Sequence, residues 1–391
     1  MFPHALLTLA LLLVATAAAH AGDIRISPDS LQLGDAFARR QLQVSIDGRD
    51  VTRAARYSTD SAGTVTVDAT GFVTPVSNGS TTIRIEHGGA VAELPVTVSG
   101  MDVPRDVDFA NEIEPLMSKF GCNSGGCHGK ASGQNGFKLS LFGFDAAFDH
   151  QAIVVDARGR RISPSRPEQS LLLLKAVGTV PHGGGKRLEV GSEPYRLILA
   201  WIQSGAPAAV PSAPGVRRLL ITPAERILVP GEQQQLAVLV EYTDGSRRDI
   251  TRSAEYSSNL DVVATVDSTG LVSAGEQSGE AAVMVRYMGK VAVFNAVRPH
   301  AEPLDSIPGF TPANRIDELV LAKWKKLGLR PSPVSDDATF LRRATLDIAG
   351  RIPTVSEAEQ FLADGSADKR ERLVDRLLAG PDYPAYFAMK W

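Results

Sequence analysis

Cysteine is scarce in this chain of 391 residues: Cys122 and Cys127 are the only two. No long basic run occurs and the formal net charge is -3, which argues against a nucleic-acid partner. No Lys or Arg precedes Arg25, and no methionine lies between Met117 and Met284. After the first residues, no segment is apolar over the length needed to cross a bilayer. What remains has ordinary soluble composition, 43% hydrophobic and 22% charged, at a length that suggests two to four domains.

The N-terminus reads as a targeting segment. Ala5 to Ala19 is an apolar and small-residue run around Leu11, Leu12 and Leu13, and Ala19-His20-Ala21 supplies an A-x-A cleavage site before Gly22. Residues 1–21 are therefore expected to be a signal peptide, and the mature protein to be exported to the periplasm or cell surface. In such an oxidising compartment a Cys122–Cys127 disulfide is a natural alternative for the thiols.

The chain repeats itself. Asp50-Val51-Thr52-Arg53 recurs as Asp249-Ile250-Thr251-Arg252, Tyr57-Ser58 as Tyr256-Ser257, and Thr66-Val67-Asp68 with Gly71 as Thr265-Val266-Asp267 with Gly270. A constant offset marks two copies of one domain with other sequence between them. Gln41 to Ile46, Thr82 to Glu86 and Leu94 to Val98 alternate as strands in the first copy, as do Gln235 to Tyr242 and Ala282 to Tyr287 in the second. Turn signals at Asp47-Gly48, Asn78-Gly79, Gly88-Gly89 and Asp244-Gly245 separate the runs, so each copy is expected to be an antiparallel β-sandwich. The openings Ile26-Ser27-Pro28 and Ile221-Thr222-Pro223, with the Asp-Val/Ile-Thr and Val-Asp stretches, resemble the bacterial immunoglobulin-like group 2 (BIG2) domain over residues 23–99 and 216–298. That resemblance implies a spacer or surface-display role, with cell-envelope or polysaccharide contact as the adhesive variant. Neither copy carries a catalytic set.

Residues 104–208 have a different character. Asp108 can cap a helix with Phe109, Ile113, Leu116 and Phe120 on one face, kinked or restarted at Pro115. Further helices are expected at Gln169 to Val177 and from Ser192 to near Gly205. Between them stands Cys122-Asn-Ser-Gly-Gly-Cys127-His128, two thiols followed at once by a histidine. C-x-x-C-H is the pattern that fixes a haem covalently; here the spacing is C-x4-C-H. In that chemistry Cys122 and Cys127 form thioethers to the haem and His128 is the proximal ligand of its iron. Ser124-Gly125-Gly126 would give the longer loop flexibility, and Phe137, Leu139, Leu141, Phe142, Phe144 and Phe148 would supply apolar shielding. The distal ligand would come from His182 or His150, or be open or water. The segment resembles the planctomycete-type cytochrome c domain, whose loop before a Gly-rich turn carries Met-Pro-Pro; here Val180 replaces that Met and His182 becomes the leading distal ligand. A zinc site from Cys122, Cys127, His128 and His182 is a further alternative, although adjacent Cys127 and His128 reach one small ion with difficulty.

From Thr311-Pro312 the pattern is helical: Ile316, Leu319, Val320, Trp324 and Leu327 share a face, Thr354-x-x-Glu357 is a capping box, and Leu373 to Leu378 mark another helix. Gly328-Leu329-Arg330-Pro331-Ser332-Pro333, Leu341-Arg342-Arg343 and Leu346 to Thr354 resemble an uncharacterised DUF1549-type domain over 312–391, whose relatives continue beyond Trp391. Arg342, Arg343 and Asp347 are expected to form a solvated face.

The expected fold class is therefore multidomain: two all-β Ig-like sandwiches, one mainly α cytochrome c-like domain and an incomplete α-helical C-terminal domain. The expected function is haem c binding and one-electron exchange with an unidentified redox partner protein, displayed on Ig-like modules. No enzymatic centre is expected in these residues. The alternative is a structural or adhesive surface protein with a Cys122–Cys127 disulfide and no haem.

Overall fold

The computed structural model describes residues 23–211 and 213–391. The expected signal peptide lies outside them. The described chain forms two compact units, divided between Glu302 and Pro303.

The first unit contains both repeats and the segment between them. In the first repeat, Ile24–Ser27, Gln43–Ile46 and Arg49–Asp50 form one sheet. Leu31–Leu33, Ala90–Val98, Gly79–His87 and Arg56–Thr59 form a second, in that order, with Leu31–Leu33 parallel to Ala90–Val98. A small third sheet joins Arg40–Gln41, Phe72–Pro75 and Val65–Val67. The second repeat reproduces every one of these pairings, from Val216–Thr222 with Ala237–Tyr242 to Gly279–Tyr287 with Lys290–Arg298. Alternation explains the cores: Val44, Ile83, Ile85, Leu94 and Val96 point inward in the first sandwich, and Val238, Val240, Val283, Val285 and Phe294 in the second. Asp47-Gly48 and Gly88-Gly89 make two-residue hairpins with positive φ at both positions. Asn78-Gly79 is not such a turn, because Gly79 opens the Gly79–His87 strand.

The repeated motif joins the two copies. Asp50 Oδ1 accepts from Thr52 N (2.8 Å), while Oδ2 accepts from Gln235 N of the second copy (3.0 Å). Asp249 does the same in reverse: Oδ1 accepts from Thr251 N (2.9 Å) and Oδ2 from Gln41 N of the first (2.9 Å). Arg53 donates to Thr269 (2.6 Å) and Arg252 to Asp68 (2.9 Å). The contacts are reciprocal, as across a two-fold interface, although both partners belong to one chain.

The segment between the repeats is helical. Asp108 caps Phe109–Ile113 through Asn111 N (2.8 Å), that turn is a π-helix, and a separate α-helix, Glu114–Lys119, restarts with Pro115 in its first turn. Leu171–Ala176 and Glu193–Gln203 follow as expected, the first shorter than the sequence indicates. Ala146–Val154 is an additional helix, capped by Asp145. The first and last helices meet where Phe109 and Trp201, both fully buried, pack at a tilt of 39° with ring centres 5.3 Å apart. Tyr287 Oη donates to Asn111 O (2.6 Å), and Lys119 Nζ donates to Ala254 O and Ser268 O (2.5 Å each), so this domain is fastened to the second sandwich.

In the second unit, helices span Arg315–Leu327, Asp337–Ala349, Val355–Ala363, Lys369–Ala379 and Asp382–Lys390. The first is capped by Asn314 rather than Thr311, since the Asn side chain reaches Asp317 N (3.0 Å). The Thr354–Glu357 capping box forms as read. Leu341, Ala349, Phe361, Leu373 and Leu377 make the core, while Arg342, Arg343 and Asp347 are exposed.

Candidate functional site

The site is built on the loop that leaves Glu114–Lys119. Cys122 N donates to Met117 O (2.8 Å), so the first cysteine is held by the end of that helix. Ser124 to Cys127 forms a compact turn rather than a flexible loop: Ser124 O accepts from Cys127 N (2.9 Å) and Gly129 N (3.0 Å), and Cys122 O accepts from His128 N (3.0 Å). Gly129 is obligatory here, because a Cβ at this position would lie 1.9 Å from Asn123 O. The turn thus shortens C-x4-C so that both thiols and His128 line one cavity of about 640 Å³. That size is typical of a small-molecule site.

His182 enters the same cavity from the Pro181–Gly184 loop. Its ring lies parallel to that of His128 within 9°, with centroids 6.3 Å apart. Each ring is oriented through the same atom: His128 Nδ1 donates to Phe137 O (3.0 Å) and His182 Nδ1 to Gly185 O (2.9 Å). That tautomer leaves Nε2 of each ring as the lone-pair donor. Gly184 packs on His182, where a Cβ would stand 3.0 Å from Cε1. Burial, opposed by the Phe137 hydrogen bond, pushes the His128 imidazole below its ordinary value, which favours the neutral, ligating form. Burial first, and Cys127 second, push the Cys122 thiol up to about 11, so it stays protonated.

The remaining lining is both apolar and cationic. Leu116, Met117, Phe120, Phe137, Leu172 and Ile198 contribute the apolar part. Arg160, Arg161, Lys175 and Arg187 contribute the cations, and among the described residues no Asp or Glu lines the cavity. Arg161 is 4.4 Å from the Phe137 ring centroid and donates to the backbone oxygens of Ala152 (2.7 Å), Asp156 (3.1 Å) and Gly136 (2.9 Å). The cavity therefore suits a flat apolar molecule bearing acidic groups. Sequence reasoning missed these four cations; their clustering at 160–161 and 175–187, around the histidine loop, was the available signal.

Several expectations need correction. Of the aromatic stretch, only Phe137 lines the cavity; Phe142 and Phe144, in and just after the turn Leu141–Gly143, and Phe148, on the helix Ala146–Val154, are exposed. His150 is not at the site: its ring packs edge-on to Phe109 (5.3 Å) and its Nε2 bonds Ala206 O (2.8 Å). Cys122 and Cys127 are both free thiols, so the disulfide alternative is not formed in this structure. Among the described residues no three His, Cys, Asp or Glu side chains converge as a metal-ion site, which removes the four-ligand zinc alternative.

Comparison with known proteins bears on the flanking domains. The family model for the bacterial Ig-like domain (group 2) matches residues 216–286, and the model named PSCyt2, a protein of unknown function (DUF1549), matches 315–391. The second sandwich thus contains a BIG2 domain, and the C-terminal unit a DUF1549 domain. The first sandwich shares the topology of the second. Both matches lie outside residues 104–208. No curated protein matches the chain. Among solved structures, domains 1–6 of the surface layer protein SbsC are 10% identical, with 68% of this chain and 24% of that chain covered and a TM-score of 0.21. Domains 5–6 of the S-layer protein SbsC are 13% identical, covering 70% and 96%, with a TM-score of 0.28. The protocadherin GammaB4 extracellular domain is 10% identical over 71% of this chain and 34% of that one, at 0.15. The chain spans about a quarter of the first of these structures, and the scores are too low to define a shared fold.

Proposed function

We propose that residues 104–208 form a covalent haem module of an exported electron-carrying protein. His128 and His182 would ligate its iron, and Cys122 and Cys127 would anchor it through thioethers. The observation that carries this reading is the His128–His182 pair. An imidazole nitrogen bonds a metal at about 2 Å and its ring centre lies about 1 Å behind, so two rings sharing one ion have centres roughly 6 Å apart. The 6.3 Å separation fits, as does the Nδ1 hydrogen bond on both rings. The cations on the cavity wall suit carboxylate groups of the ligand, and the free thiols lie beside His128.

Bound haem supplies one-electron exchange, at a lower potential for two histidines than for His and Met. The chain supplies orientation and exclusion of water: Phe137 and Gly185 fix the two imidazoles, and Leu116, Met117 and Ile198 keep one wall dry. The sandwiches, fastened to this module and to each other, would hold it at a fixed distance from the envelope. Export is supported by the N-terminal apolar run and by the BIG2 match, with periplasm or cell surface as the destination.

The test is an absorption spectrum and haem stain on protein exported together with a cytochrome c maturation system. A Soret band that survives denaturation is expected. Its absence from correctly folded protein, with Cys122 and Cys127 unmodified, would overturn the reading.

A further inference from the structure

Arg161 is 4% exposed, and among the described residues no carboxylate bonds it. Its bonds go to the backbone instead: Nη1 donates to Ala152 O (2.7 Å) and Asp156 O (3.1 Å), and Nη2 donates to Gly136 O (2.9 Å). Three of the five N–H groups of the guanidinium are thereby engaged. The other charges that act on it, Arg160 and Asp156, are exposed and opposite in sign. A buried cation that no carboxylate neutralises is costly to the fold. Its charge is also screened little by salt.

That charge stands close to the histidine pair. The guanidinium lies 4.4 Å from the Phe137 ring centroid, and the Phe137 ring lies 4.4 Å from that of His128. Two such contacts therefore separate the cation from the imidazole, and Arg161 itself lines the cavity. Arg160 and Arg187 line it too, but both are exposed, and among the described residues no hydrogen bond holds either side chain. Those two are free to take up the acidic groups of a ligand. Arg161 is held in place by the backbone, so its charge remains when they are neutralised.

We propose that Arg161 sets the reduction potential of the haem module, its fixed and buried charge favouring the reduced state. Uptake of one electron from the redox partner adds one negative charge beside His128. A cation held nearby at low dielectric stabilises that charge far more than an exposed cation does. The potential is then higher than two histidine ligands alone would set. This inference rests on the haem reading and assigns one residue within it.

The test is a spectroelectrochemical titration of the full exported chain with haem attached. Arg161→Met should lower the reduction equilibrium constant at least tenfold, about 59 mV in potential, with the spin state unchanged. Arg161→Lys keeps the charge and should lie close to the unaltered protein. If Arg161→Met does not fold, Arg161→Gln, which keeps a donor for Ala152 O, must show the same fall. The sign separates charge from support of the fold. Loosening the bond from His128 Nδ1 to Phe137 O makes the imidazole less basic, which raises the potential instead. An unchanged or raised potential in the neutral variant, with haem attached, would overturn this inference and leave the haem reading standing. Failure of the unaltered chain to attach haem would overturn both.

Discussion

The imidazoles of His128 and His182 lie parallel within 9° and 6.3 Å apart, although they come from different loops and each is held by its own backbone carbonyl. Both open onto a cavity that also holds the only two cysteines of the chain.

If His182 is the distal ligand, His182→Ala in the haem-loaded protein should convert a low-spin spectrum to a high-spin one while attachment through Cys122 and Cys127 persists. Absorption and electron paramagnetic resonance read the change. His150→Ala should leave the spin state alone, since that ring is committed to Phe109 and Ala206. An unchanged spectrum in the His182 variant would remove it from the site.

Gly129→Ala places a methyl group 1.9 Å from Asn123 O, a backbone atom that cannot step aside without opening the turn. The expected cost is about 2 kcal/mol or more, typical of severe backbone conflict, read as a lowered melting temperature. Haem attachment should fall in parallel, because the turn is what brings Cys122, Cys127 and His128 to one wall.

The reciprocal contacts of the sandwiches make Asp50→Ala and Asp249→Ala equivalent perturbations. The first leaves Gln235 N without its acceptor and the second does the same to Gln41 N. Each should destabilise the first unit by about 1–3 kcal/mol, the cost of a buried unsatisfied donor, measured by calorimetry. A large effect from one and none from the other would contradict the two-fold relation.

In the C-terminal unit, hydrogen bonds from Arg351, then the Thr354 backbone N–H, pull Glu357 down to about 2 from an ordinary 4.5. A depressed carboxylate stabilises the fold above its unfolded value and ceases to do so as pH falls through the folded one. Acid should therefore weaken the capped start of Val355–Ala363 between about pH 4.5 and pH 2. Arg351→Ala should move that loss to higher pH, toward 4.5, as followed by helical circular dichroism. The pair stays partly in contact with water, with Arg351 37% and Glu357 27% exposed, so the effect is small in energy.

The sandwiches were legible in sequence because alternation, turns and a repeat all point to one answer, and the doubled Asp-x-Thr-Arg motif is explained by local caps plus contact with the other copy. The helix starts at Asp108 and Thr354 could be read from their caps, and those near Pro115 and Pro194 from proline in the first turn. The cysteine–histidine motif and His182 were legible as residues, but their convergence was not. It depends on a turn closed by Gly129 and on the loop placement of His182, both of which are tertiary. The aromatic stretch misled for a physical reason: hydrophobic residues are not confined to interiors, and Phe142 and Phe144 lie exposed in and just after the turn Leu141–Gly143, while Phe148 is exposed on the helix Ala146–Val154, whose hydrophobic pattern is too weak to reveal its facing.

The most direct measurement is a peptide mass map across Cys122–His128 of protein exported with a haem-attachment system. The expected result is one peptide carrying a single haem, with neither Cys122 nor Cys127 open to alkylation. A peptide with both thiols alkylated, or joined only to each other by a disulfide, would contradict the account.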